Sequence, residues 1–164
     1  MIFGMTTFTF VHVVISLIGI ASGFVVTYGM LNGKRLDGWT AVFLVSTVLT
    51  SVTGFGFPFF VLLPSHKIGV LSLVLLAAAI VGRYVRHLAG AWRWIYVVSA
   101  VLAQYFNVFV LIVQLFRKVP ALQALAPTQA EPPFFLTQLV VLALFVWLTV
   151  VAVKRFRVEA VSPG

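Results

Sequence analysis

Two imidazoles and three carboxamides are the side chains best able to do chemistry in this otherwise apolar chain of 164 residues: His12, His66, Gln104, Asn107 and Gln114. A neutral imidazole offers a lone pair. Two of them could ligate the iron of haem b axially or, with other groups, bind copper or zinc, which makes His12 and His66 a candidate metal pair. His12 with the carboxamides could instead hydrogen-bond a quinone or another lipophile with a polar head. Hydrogen bonding between helices, with no ligand, is the third reading of the same residues. No catalytic set is legible among them.

The chain contains no Cys, so disulfides, thiolate nucleophiles and Cys-ligated zinc or iron–sulfur clusters are excluded. No Asp or Glu falls within an apolar run. Asp37, Glu131 and Glu159 lie in connections or the tail, which argues against a carboxylate proton relay or cation transport.

The elements that must position these residues are set by lipid. Hydrophobic residues make up 62% and charged residues 9%, far from the roughly 25% charged of a soluble domain. The net charge of +8 arrives in short clusters at the ends of apolar runs rather than on one basic face, so nucleic acid is not an expected partner.

Five apolar runs are present: Phe8 to Leu31, Trp39 to Leu63, Ile68 to Gly82, Trp94 to Phe116 and Phe134 to Val153. A helix needs about 20 residues to cross a hydrocarbon core of roughly 30 Å, and lipid forces its backbone to bond internally. The third run reaches span length, as 68–86, only if Arg83 and Arg86 lay their stems along the helix and lift their charges into the headgroups. The expected fold is therefore all-α, one transmembrane domain over residues 1–164 built as a polytopic bundle of five helices. Nothing basic precedes Phe8 and the first core is long, so the first helix is expected to stay rather than be cleaved.

With five spans, Lys34, Arg35, Arg83, Arg86, Arg93, Lys154, Arg155 and Arg157 share one side, and Lys67, Arg117 and Lys118 the other. The positive-inside rule then puts the N-terminus outside and the C-terminus in the cytoplasm. His12 and His66 fall toward the outer side and His87 toward the inner, so only the first two can meet. His66 lies near the headgroups with His12 deeper, so one must shift before both face one haem plane. The segment Arg117 to Pro133, rich in Pro, is read as an outer tether rather than a lid.

At about 100° per residue, His12, Ser16, Gly19, Gly23, Thr27 and Met30 share one side of the first helix. Small residues let helices approach closely where lipid supplies little drive for association. Thr47, Thr50, Ser51 and Gly54 repeat the device on the second helix, whose outer end Gly56 and Pro58 should bend. Tyr96, Gln104, Asn107 and Gln114 fall within one arc of the fourth, and Gln138 on the fifth lies level with Gln114. Between the third and fourth, Arg83, Arg86 and Arg93 with Trp92 and Trp94 should anchor to anionic lipid, and Gly90 should make the reversal compact.

Lys34-Arg35-Leu36-Asp37-Gly38-Trp39-Thr40, Leu63-Pro64-Ser65-His66, His87-Leu88-Ala89-Gly90-Ala91-Trp92-Arg93-Trp94-Ile95-Tyr96 and Ala124-Leu125-Ala126-Pro127-Thr128-Gln129 resemble segments of small, uncharacterised inner-membrane proteins of proteobacteria. The likeness extends over most of the chain. It implies a bacterial inner-membrane location and transfers no catalytic residue, because that family has no established activity. The expected role is a non-catalytic membrane protein or accessory subunit, with a membrane-protein partner or a second copy beside the bilayer itself. The alternatives are a small redox protein holding haem b or quinone, and a homodimeric transporter component.

Overall fold

The computed structural model describes residues 2–58 and 64–157. Their order is α1 (Thr7–Leu31), α2 (Asp37–Gly54), α3 (Pro64–Ile80), a π-helical turn (Val81–Val85), α4 (Trp92–Lys118), a short α5 (Pro120–Leu125) and α6 (Pro132–Arg155). Helices dominate because a backbone in lipid has no water to bond and must close its own ladder. Their limits are chemical. The Thr6 side chain caps α1 by accepting from the Thr9 amide, and Gly33, at φ +69°, turns the chain where α1 ends. Prolines open α5 and α6, where a missing amide donor costs nothing.

Four described helical stretches are long and apolar enough to cross a membrane: Thr7–Leu31, His66–Val85, Trp92–Lys118 and Pro132–Arg155. α2 is shorter than the sequence reading, stopping at Gly54 instead of running on to Leu63. The reason lies in Gly54, Gly56 and Pro58, which weaken and then forbid a continuing helix; residues 59–63 fall outside the described part. At about 1.5 Å per residue its 18 residues reach about 27 Å, just short of a hydrocarbon core.

α4 is the centre of the bundle, packing on α1, α3 and α6, while α1 also packs on α2 and α6, and α2 on α3. Half of its span is buried, against 17–28% for the other three, so it carries more buried residues than any other described helix. Tyr96, Val97, Ala100, Val101, Ala103 and Gln104 are all buried along it. The outer faces are apolar instead: Leu17 and Phe24 on α1 and Val140, Val146 and Trp147 on α6 are exposed. Such an inverted surface suits hydrocarbon rather than water.

The two ends of the bundle differ in chemistry. Arg83 reaches the Arg35 carbonyl, Arg155 the Leu31 carbonyl, and Arg93 the Val153 and Phe156 carbonyls. These bonds gather the α1–α2 turn, the π-helical turn, the start of α4 and the end of α6 at one basic end. At the opposite end His12 meets Thr53, and Gln129 meets Val113. The segment read as a plain tether is therefore docked: α5 packs on α4, Ala126 is buried, and the Gln129 carboxamide donates to the Val113 carbonyl at 2.9 Å.

Candidate functional site

The small-residue stripe of α1 lets two other helices reach its backbone. A Cβ at Gly19 would lie 3.2 Å from Thr47 Oγ1, and one at Gly23 only 2.0 Å from Gln104 Oε1. Into that space α4 inserts Gln104, 0% exposed, whose Nε2 donates to the Ile20 carbonyl at 2.8 Å. Asn107, one turn on, donates through Nδ2 to Thr47 Oγ1 at 3.2 Å and to Gln104 Oε1 at 3.4 Å. Two of the sequence-singled carboxamides thus join α1, α2 and α4 in one network. Ser51 on α2 extends the polar contact to Ser72 on α3 at 3.4 Å.

Gln114 does not join. It is half-buried and makes no side-chain hydrogen bond among the described residues. Gln138 turns to α4 rather than to Gln114, donating from Nε2 to the Phe109 carbonyl at 3.3 Å. Its Oε1 is buried without a donor, as is the Thr50 hydroxyl.

His12 and His66 approach α2 from its two different neighbours. His12 Nδ1 lies 2.7 Å from Thr53 Oγ1, with the Phe57 ring edge-on at 5.0 Å. The one Thr53 hydroxyl proton goes to the Leu49 carbonyl at 2.6 Å, so its oxygen accepts from His12 Nδ1–H. The lone pair of this tautomer then sits on Nε2. His66 is buried on α3 against Phe55, ring centres 5.8 Å apart. No group of three His, Asp or Glu suited to a metal occurs among the described residues.

Of the three arginines read as lipid-facing, one is exposed and two turn to partners within the chain. Arg86 is exposed, its guanidinium 5.4 Å from the Trp92 ring. Arg93 is half-buried and spends its guanidinium on the Val153 carbonyl at 2.8 Å and on that of Phe156. Arg83 points inward and is 2% exposed. It pairs with the Asp37 carboxylate, donates to Tyr96 Oη at 3.0 Å and to the Arg35 carbonyl at 3.3 Å, and lies 5.2 Å from the Tyr96 ring. The π-helical turn is the physical reason, because a wider turn at Val81–Val85 shifts the register of Arg83 away from lipid. Asp37, Tyr96 and Arg83 therefore form a polar cluster that the spacing of the runs did not reveal. A signal existed: Asp37 is the one acidic residue in the basic connections.

Glu131 organises the opposite end. Thr128 donates through its hydroxyl at 2.8 Å and its amide at 3.2 Å, and Ala130 through its amide at 3.1 Å. The Thr128 hydroxyl, with these amides, holds the Glu131 carboxyl below the usual carboxylate range. A depressed carboxyl stabilises the fold above its unfolded pKa, and that contribution is lost as pH falls through the lower folded value. Hydrogen exchange at the Thr128 and Ala130 amides is thus expected to be slower than in Glu131→Gln above about pH 5, the difference shrinking as pH falls through the depressed folded value. Equal rates at neutral pH would contradict this cap.

An all-helical bundle with four apolar helices of spanning length, turned hydrophobic side out, is a helical membrane protein. No protein family, curated protein or solved structure matches the chain.

Proposed function

We propose that this chain is a non-catalytic component of a bacterial inner membrane, an accessory subunit whose polar interior holds its own helices together. The observation that carries this reading is the Gln104–Asn107 pair. Gln104 donates to the Ile20 carbonyl, and Asn107 to Thr47 and to Gln104, so the carboxamides best suited to a ligand are spent within the chain. Resemblance to small proteobacterial inner-membrane proteins supports the location. In this reading α2 is a fifth crossing, with the basic end in the cytoplasm and the N-terminus outside.

Topology is testable because the chain has no Cys. Phe3→Cys, at an exposed position, should react with an impermeant maleimide in intact cells, and Ala89→Cys only after permeabilisation. Labelling of both from outside would mean that α2 does not cross, since two crossings return the chain to its starting side. The reverse pattern would invert the orientation.

One observation favours a second reading, a small redox protein: the His12 tautomer leaves Nε2 with its lone pair, able to ligate iron or accept from a quinol hydroxyl. The accessory reading predicts a purified protein without a Soret band and without quinone in its lipid extract. A Soret band abolished by His12→Ala, or quinone depleted by Gln104→Leu, would replace it with the redox reading.

A further inference from the structure

An open pocket of about 410 Å³ lies at the basic end, lined by Leu31, Asn32 and Gly33 of the α1–α2 turn and by Lys154, Arg155 and Arg157 of the α6 end. Three cations converge on it and no carboxylate lines it. We propose that this pocket binds the phosphate headgroup of an anionic phospholipid. The proposal rests on the membrane reading above, which puts this end of the bundle at headgroup depth.

The argument is one of charge accounting. Helix C-termini carry partial negative charge, which cations can neutralise without any ligand. Here several of those carbonyls already have donors. Arg93 bonds the Val153 and Phe156 carbonyls, and Arg155 the Leu31 carbonyl at 3.4 Å. Lys154 and Arg157 are exposed and bond to no described group. The described carboxylates are also committed, Asp37 to Arg83 and Arg35, and Glu131 to the far-end loop. Two cations at the pocket thus lack an internal counter-ion among the described residues.

Shape adds to charge. Gly33 stands at φ +69°, and a Cβ there would meet the Arg155 carbonyl at 3.4 Å, so the turn lies close against the α6 end. Leu31 beside the cations gives the pocket an apolar edge against which the start of an acyl chain can lie. A phosphodiester carries the oxygens that Arg and Lys recognise, and in a lipid it is joined to such a chain.

The test is native mass spectrometry of the full chain purified in detergent and titrated with phosphatidylglycerol, phosphatidylcholine or inorganic phosphate. Phosphatidylglycerol is expected to remain bound where phosphatidylcholine does not. Lys154→Gln with Arg157→Gln should weaken phosphatidylglycerol about 30-fold, whereas Lys118→Gln, which removes an exposed cation at the opposite end, should leave it unchanged. Both pocket substitutions are at exposed positions, and helical circular dichroism checks that the fold survives them.

Unchanged binding in the double variant would overturn the proposal. So would an equal loss in Lys118→Gln, which would mean diffuse attraction rather than a pocket. Displacement of the lipid by millimolar inorganic phosphate would make it a free-anion site instead. Because binding in detergent does not depend on orientation, reversed cysteine labelling with intact binding overturns the topology alone.

Discussion

Gly23→Ala is expected to destabilise the bundle by about 2 kcal/mol, an unusually large effect for one added methyl group. The new Cβ would stand 2.0 Å from Gln104 Oε1 and 2.4 Å from its Cδ. The side chain cannot simply swing away, because it is fully buried and its Nε2 is bonded to the Ile20 carbonyl. Moving it also withdraws an acceptor from Asn107. Gln104→Ala alone should cost about 1–2 kcal/mol through lost bonds and a void. The double variant should then be more stable than the sum of the singles implies, by about 1 kcal/mol or more, since removing Gln104 vacates the space the methyl needs. Unfolding of the purified protein in mixed micelles measures all three. Strict additivity would mean that Gly23 and Gln104 do not meet.

The second large effect is expected at the basic end. Asp37→Asn removes the negative partner of Arg83, whose guanidinium is nearly inaccessible and would keep only Tyr96 Oη and the Arg35 carbonyl. The Asp37 side chain is itself 73% exposed, so solvent already weakens the pair and the loss is expected to be about 2 kcal/mol rather than the larger figure for a fully buried pair. Arg83→Met in the Asp37→Asn background should recover much of that loss. An apolar side chain needs no counter-charge, and methionine can fill the space of the arginine stem. If Arg83→Met instead deepens the defect, the bonds to Tyr96 and Arg35 matter more than the charge.

These two sites differ in how legible they were. The pattern Gly19, Gly23 and Thr27 on α1 and Tyr96, Gln104 and Asn107 on α4 is periodic, and helical periodicity alone placed each set on one face. That the two faces meet, with Gln104 seated on Gly23, came only from the packing, because periodicity names a face and not its partner. The Arg83 cluster was hidden because a regular helix through Gly82 points its arginines to the headgroups. The π-helical turn breaks that regularity, and no local signal in Val81–Val85 announces it. The end of α2 was half legible: Gly56 and Pro58 foretold a bend, yet the helix already stops at Gly54.

The histidines mark the boundary between pattern and packing. Depth could be read from the distance of His12 and His66 to the ends of their apolar runs, and depth allowed them to meet. Direction could not be read, since it depends on which helices α2 separates. His12 meets Thr53 and Phe57, and His66 meets Phe55.

Hydropathy and charge distribution by themselves established helices in a membrane with one cation-rich end, because transfer free energies add residue by residue whatever the neighbours are. Only the tertiary structure decided that Arg83 turns inward to Asp37, that Gln104 serves α1, and that Lys154 and Arg157 are left facing a pocket. Each depends on which groups from distant positions share a dry space, and that is a property of contacts rather than of any one segment.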